Sequence, residues 1–213
     1  MLEDISGEKI KEQFRSNKTV RLITLIMSIL IILTLGYFLY RQFIFIPAEE
    51  KSNKNYWVGL NYASKDSTDL AIEELKLQVN KYDGKKGGEI SQFVYARQLM
   101  NQGLFEEALK ELKKVDISNT FLSAMTEGLQ ADCMSELENY EEAYTKYINA
   151  AKISNNEFTT PMYLMKAGLC AEETKNFDKA TEAYEEIKNN YTAFGSQKSI
   201  EKYIARAKNK TTN

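Results

Sequence analysis

Two patterns of apolar positions divide this chain. From Leu22 to Tyr40 the residues LITLIMSILIILTLGYFLY are apolar on every side and carry no charge. That run is close to the ~20 residues a helix needs to cross a ~30 Å hydrocarbon layer. Beyond Pro47 the apolar residues recur three and four apart among polar ones, the spacing of helices with one buried stripe. Only two prolines interrupt the sequence, Pro47 and Pro161, so helix is favoured throughout. The expected organisation is a short segment 1–21, a spanning helix within 22–46, a linker with a degenerate first helix pair at 47–88, and a helical domain at 89–213.

The helical part contains an internal repeat. The phrases Asp69-Leu70-Ala71-Ile72, Glu106-Glu107-Ala108-Leu109, Glu141-Glu142-Ala143-Tyr144 and Asp178-Lys179-Ala180-Thr181 recur with their alanines about 35 to 37 residues apart. Three positions before the alanine stand Thr68, Phe105, Tyr140 and Phe177; twelve before it stand the small residues Gly59, Ala96, Ala131 and Gly168; four after it stand Leu75, Leu112, Tyr147 and Tyr184. Small residues let paired helices approach, and large apolar residues fill the space between them. A helix-turn-helix unit of this period is the tetratricopeptide (TPR) repeat. The fold class expected is therefore all-α: one N-terminal transmembrane helix, then a TPR-like solenoid of about four degenerate repeats with a C-terminal capping helix. Degeneracy shows at the inter-helix turn, where Gly103 is matched by Asp66, Glu138 and Lys175. Thr160-Pro161 reads as an N-cap followed by the first helical residue. After Gly195, Ser199 to Lys210 reads as the capping helix, with Ile200, Tyr203 and Ile204 on one side.

A cleaved signal peptide would have a shorter apolar run ending in small residues, whereas this one ends in Gly36-Tyr37-Phe38-Leu39-Tyr40-Arg41, so it is expected to remain as an anchor. Tyr37, Tyr40, Phe43 and Phe45 suit an interfacial aromatic belt. Lys9, Lys11, Arg15, Lys18 and Arg21 precede the run, and Arg41, Lys51 and Lys54 follow it. The positive-inside rule then places the N-terminus in the cytoplasm and the repeats across the membrane. Thr24, Ser28, Thr34 and Gly36 offer little small-residue pattern for helix association, and plain lipid exposure is the simpler reading.

Charge and composition narrow the chemistry. The part beyond Pro47 holds 22 Lys plus Arg against 26 Asp plus Glu, which offers nucleic acid no basic face. The sequence has no histidine, removing the commonest general base and most zinc sites. The acidic pairs Glu141-Glu142, Glu172-Glu173 and Glu185-Glu186 fall among lysines and read as solvated faces, so neither an enzyme nor a cofactor is expected. The loop Asp83-Gly84-Lys85-Lys86-Gly87-Gly88 lacks P-loop spacing and reads as a flexible connector. Cys133 and Cys170 occupy the same position in adjacent repeats; packed helices lie about 8–10 Å apart, beyond the ~7 Å limit for a bridge, so two buried free thiols are expected.

By phase, the first helix of each repeat turns Tyr56 and Leu60, then Ile90, Phe93, Arg97 and Met100, then Met125 and Asp132, then Met162, Met165 and Leu169 toward the concave side. Four of the seven methionines fall here, and methionine-rich surfaces accept varied apolar partners. These residues are the candidate protein-binding face, a groove for extended or unfolded polypeptide. The alternative is that they are covered by the curl of the solenoid or by the anchor-proximal helix.

The segments Tyr95-Ala96-Arg97-Gln98-Leu99 with Gly103, and Thr159-Thr160-Pro161-Met162-Tyr163-Leu164 with Ile200-Glu201-Lys202-Tyr203-Ile204, set behind a single anchor, resemble membrane-anchored repeat proteins. The layout is similar to the ancillary subunit family of the bacterial Sec (SecYEG) translocon, the YfgM type. That resemblance implies a single-pass protein of the bacterial inner membrane with periplasmic repeats. It implies Sec translocon subunits and a membrane-anchored periplasmic chaperone as partners, and no catalytic residues. An envelope-assembly or cell-division scaffold shares the architecture, and an inverted topology would make a cytosol-facing receptor for targeting signals.

Overall fold

The computed structural model describes residues 15–211. Lys9 and Lys11, and with them most of the segment 1–21, lie outside these residues. Two compact units divide the chain between Lys51 and Ser52.

In the first unit, α1 (Lys18–Tyr40) is capped by the Asn17 side chain, which accepts from the Thr19 N–H. No residue of this helix is buried, and it is long and apolar enough to span a membrane. At 1.5 Å per residue it measures about 34 Å. Three hydroxyls in its apolar stretch are satisfied within the helix: Thr24 donates to the Val20 carbonyl, Ser28 to Thr24 and Thr34 to Ile31. This is the solution hydrocarbon demands, where water cannot serve polar groups. A π-helical segment, Arg41–Phe45, leads into α2 (Ile46–Ser64).

The second unit is a run of helix pairs: the part of α2 from Ser52 onward with α3 (Thr68–Lys81), α4 (Lys86–Asn101) with α5 (Phe105–Leu112), α6 (Thr120–Glu136) with α7 (Tyr140–Ser154), and α8 (Thr159–Glu173) with α9 (Phe177–Asn190). Two short helices follow, α10 (Thr192–Lys198) and α11 (Ile200–Thr211). Among the described residues there is no strand. Thr68, Phe105, Tyr140 and Phe177, aligned by the repeat phase, are each the first residue of a second helix.

One steric lock recurs inside each pair. The anchor alanines Ala71, Ala108, Ala143 and Ala180 are all fully buried, and Leu75, Leu112, Tyr147 and Tyr184 are buried one turn further along. These large residues face the small ones of the preceding helix. A Cβ on Gly59 would lie 2.5 Å from Leu75, and one on Gly168 would lie 2.2 Å from the Tyr184 ring. Successive first helices interlock too: a Cβ on Gly128 of α6 would meet the Tyr163 ring of α8 at 2.4 Å.

The four inter-helix turns share one geometry although their residues differ. Asp66, Gly103, Glu138 and Lys175 have φ of 55°, 74°, 61° and 58°. The residue after each donates its N–H to a carbonyl five residues back: Ser67 to Tyr62 (3.1 Å), Leu104 to Leu99 (3.0 Å), Asn139 to Met134 (2.8 Å) and Asn176 to Ala171 (2.8 Å). That is the Schellman ending, with a left-handed residue closing the helix. Repeat phase, rather than residue type, locates the turn.

Buried side chains form two clusters. One holds Ala71, Leu75, Phe93, Tyr95, Ala96, Leu99, Ala108, Leu112 and Cys133; the other runs from Ala131 through Tyr147, Leu164 and Tyr184 to Ile204 and Ala207. Cys133 sits in the first and Cys170 in the second, both buried and unpaired. The capping helix α11 buries Ile200, Ile204 and Ala207 against the second cluster, with Tyr203 half-buried beside them.

Two local expectations are corrected. The segment Asp83–Gly88 is no flexible connector, because α4 begins at Lys86 and buries Gly87 and Gly88 in its first turn. A Cβ on Gly87 would strike the Ser52 carbonyl at 2.3 Å, and one on Gly88 the Tyr82 carbonyl at 1.9 Å, so these glycines permit close backbone packing. Thr160 is not the N-cap of α8. Phe158 precedes the helix and makes no side-chain cap bond; in the turn before it the Asn156 Oδ1 accepts from the N–H groups of Phe158 and Thr159 (both 2.9 Å), while Thr160 Oγ1 accepts from the Asn156 N–H. Gly195 is buried within α10, and the break before the capping helix falls at Ser199, with φ of 52°.

Candidate protein-binding groove

Helix α8 shows how the site is built. Pro161, Tyr163, Leu164, Ala167, Gly168, Cys170 and Ala171 are buried. Met162, Met165, Lys166, Leu169 and Glu173 remain on the opposite stripe, at helical spacing. Two cavities lie along that stripe. One, of about 550 Å³, is walled by Met100 and Phe105, by Tyr140 and Tyr147, and by Leu169 and Cys170, with Asp132, Glu136, Lys166 and Glu173 supplying charge. The other, of about 630 Å³, is bordered by Phe158, Met162, Met165 and Phe194, with Glu157, Lys166 and Lys198 at its edges. Lys166 borders both. Phe158 is 85% exposed, an aromatic ring left without cover.

The charge at the centre is organised around Asp132. Its Oδ1 accepts from the Tyr147 hydroxyl (2.5 Å) and from Lys166 Nζ (2.6 Å), and the ammonium lies 5.5 Å from the Tyr147 ring centroid. Burial pushes the Tyr147 phenol well above its ordinary pKa, and the Asp132 carboxylate adds to the shift. Cys170 is raised by burial, with Asp132 and Glu173 acting in the same direction against its contact to Ser135. Burial likewise pushes Cys133 up to about 11. Both thiols are therefore protonated near neutrality and poor nucleophiles. No group of three or more His, Cys, Asp or Glu among the described residues could hold a metal ion.

Of the sequence-predicted face, Met100, Asp132 and Leu169 come together in the first cavity, and Met162 and Met165 in the second. Tyr56, Leu60, Ile90, Arg97 and Met125 line neither. Arg97 is exposed, Tyr56 stacks on Trp57 with centroids 4.8 Å apart, and Leu60 and Met125 pack half-buried against the first core cluster. Phe93 leaves the face altogether: it is 5% exposed and belongs to that cluster. The reason lies in its register. Phe93 occupies the repeat position of Gly128, which the structure places against the next first helix through Tyr163. In the repeat that follows Phe93 the residue equivalent to Tyr163 is Thr126, small and buried, so the large side chain stands on the other side of the joint. Sequence reasoning missed Lys166, Glu136, Glu173, Phe158 and Phe194. Met162, Met165 and Leu169 carried the signal for Lys166, which shares their stripe.

No family model and no curated protein matches the sequence. Solved structures do. A kinesin light chain of Podosopora anserina with nearly identical TPR-like repeats superposes with a TM-score of 0.59 at 14% identity, over 77% of this chain and 88% of that one. MamA gives a TM-score of 0.57 at 22% identity, over 76% and 92%. The apo form of RapI gives 0.55 at 18%, over 94% and 72%. The fold is that of TPR-like repeat proteins, here following a helix able to span a membrane.

Proposed function

We propose that this chain is a non-enzymatic, membrane-tethered interaction module whose concave groove holds a polypeptide segment. The observation that carries the reading is the stripe Met162-Met165-Leu169 on α8, which borders two cavities: Leu169 is exposed, and Met162 and Met165 are half-buried, resting on the second core cluster with part of each side chain open to solvent. Flexible thioethers suit a surface that accepts varied apolar side chains, and tethering raises the effective concentration toward any partner in the same membrane. The excess of basic residues before Leu22 supports a cytoplasmic N-terminus and repeats across the membrane. The resemblance to the ancillary Sec subunits supports a module in the periplasm of a bacterial inner membrane, beside the export channel and a membrane-anchored chaperone.

The test is a pull-down of the full-length chain from gently solubilised native membranes, with co-purifying proteins identified by mass spectrometry. Stoichiometric channel subunits are expected, and recovery of a cell-division or envelope-assembly complex instead would replace the export role by scaffolding. Topology is read separately by placing a cysteine at Lys202, which is exposed, and labelling intact cells with an impermeant maleimide. Labelling only after lysis would mean that the repeats face the cytosol.

A further inference from the structure

The first cavity is chemically lopsided. Asp132, Glu136 and Glu173 contribute three carboxylates to it and Lys166 contributes the one ammonium. Lys166 is already held by Asp132 at 2.6 Å. Among the described residues neither Glu136 nor Glu173 enters an ion pair, and both are exposed at the cavity edge. The negative field is felt inside, since these carboxylates add to the upward shifts of Tyr147 and Cys170. The walls between the carboxylates are the apolar and aromatic side chains of Met100, Phe105, Tyr140 and Leu169. An apolar channel ending in two free carboxylates, with aromatic rings along it, complements a long aliphatic stem carrying a cation.

We infer that the groove selects a polypeptide bearing an arginine or lysine, whose side chain enters the Glu136–Glu173 cavity while a neighbouring large apolar side chain enters the cavity at Met162, Met165 and Phe194. This rests on the reading of the groove as a polypeptide site and specifies its occupant. The register follows from α8. Leu169 and Met162 are two turns apart, about 10 Å, and an extended chain covers that in about three residues at ~3.3 Å each. The occupant therefore carries its basic and its large apolar residue three positions apart. The second cavity is bordered by one carboxylate, Glu157, and two ammonium groups, Lys166 and Lys198, and makes no such demand for a cation.

The experiment uses the full-length chain in nanodiscs and fluorescence anisotropy of fluorescein-labelled decapeptides. Each peptide carries a Leu-Phe pair and an arginine three positions from the phenylalanine, in both orders, in a Gly/Ser background. Matched peptides carry citrulline, a neutral isostere, instead of arginine. Each exposed ion pair is worth roughly 0.2–1 kcal/mol, so two carboxylates predict that arginine binds about 2- to 30-fold more tightly than citrulline in at least one order. That preference should vanish in Glu136→Gln/Glu173→Gln and shrink in 1 M salt, where the screening length falls to about 3 Å. Met165→Asp should weaken both peptides alike. Equal binding of the arginine and citrulline peptides, with both still weakened by Met165→Asp, would overturn the basic-residue inference and leave the groove reading standing. No saturable binding by any peptide would overturn both.

Discussion

Lys175 is a lysine where the backbone asks for glycine, and replacing it should stabilise the protein. Its φ of 58° lies in the left-handed region, which costs an L-residue with a β-carbon roughly 1–2 kcal/mol. Glycine removes that cost but loses more freedom on folding, a penalty of about 0.4–1 kcal/mol. The Lys175 side chain is exposed and enters no ion pair among the described residues, so little else is lost. The balance predicts that Lys175→Gly gains about 0.5–1 kcal/mol, a rise in Tm of roughly 1–4 °C for a domain of this size. Glu138→Gly should behave alike, and Asp66→Gly should gain less, because aspartate tolerates this conformation better. The control is Gly103→Ala. At φ of 74°, with no atom within 4 Å of an added Cβ, its loss would report the backbone term without a clash. The assay is thermal melting of the detergent-solubilised full chain by circular dichroism at 222 nm. If Lys175→Gly lowered Tm, or Gly103→Ala left it unchanged, the assignment of these residues to one shared left-handed turn would be refuted.

Further expectations follow from the packing and the ionisable groups. Phe93→Ser, emptying a core site, should cost about 3–5 kcal/mol, whereas Met165→Ser should leave the melting curve within about 1 kcal/mol; equal losses would mean that Met165 is core as well. Gly168→Ala drives a methyl group toward the Tyr184 ring and should cost about 1–3 kcal/mol, while Gly36→Ala in α1, with nothing within 4 Å, should be neutral in the same melts. The buried thiol of Cys133 is held protonated in the folded state, with its pKa raised to about 11, above the ~8.5 of a free thiol. The unfolded chain therefore loses that proton first, and the stability contributed at lower pH declines from about pH 8.5 to 11. Urea midpoints should fall more steeply over that range for wild type than for Cys133→Ala, and parallel curves would contradict the burial of this thiol.

Much of the solenoid was legible because its lock is steric and periodic. Gly59 and Leu75, Ala96 and Leu112, Ala131 and Tyr147, and Gly168 and Tyr184 set a small and a large residue at one fixed spacing, and at the two glycines the large side chain fills the place of the missing Cβ. Such a pattern survives when the rest of the repeat drifts. The turns were legible for the same reason: phase pointed to Asp66, Glu138 and Lys175, which no turn preference would have chosen. Phase failed at Phe93 because it reports which side of a helix a residue takes, not how large the residue across the joint is. There the partner position holds Thr126, whereas one repeat later Gly128 is met by Tyr163. Gly87 and Gly88 were misread since a glycine pair signals either freedom or close approach, and only the position of Ser52 and Tyr82 decides between them. The charged part of the groove was half visible: Asp132 stood in the predicted stripe, but its link to Lys166 and Tyr147 joins residues from three helices. Nothing in the local sequence announces that meeting.

The central claim is that the stripe on α8 touches polypeptide in the cell. A photo-reactive benzoylphenylalanine placed at Met165 or at Leu169, and as a control at the exposed Glu186 of α9, tests it directly in intact cells. The account predicts discrete crosslinked adducts from the two groove positions and none from Glu186. Equal crosslinking from all three positions, or none from Met165 and Leu169 while the variants remain folded and in the membrane, would contradict it.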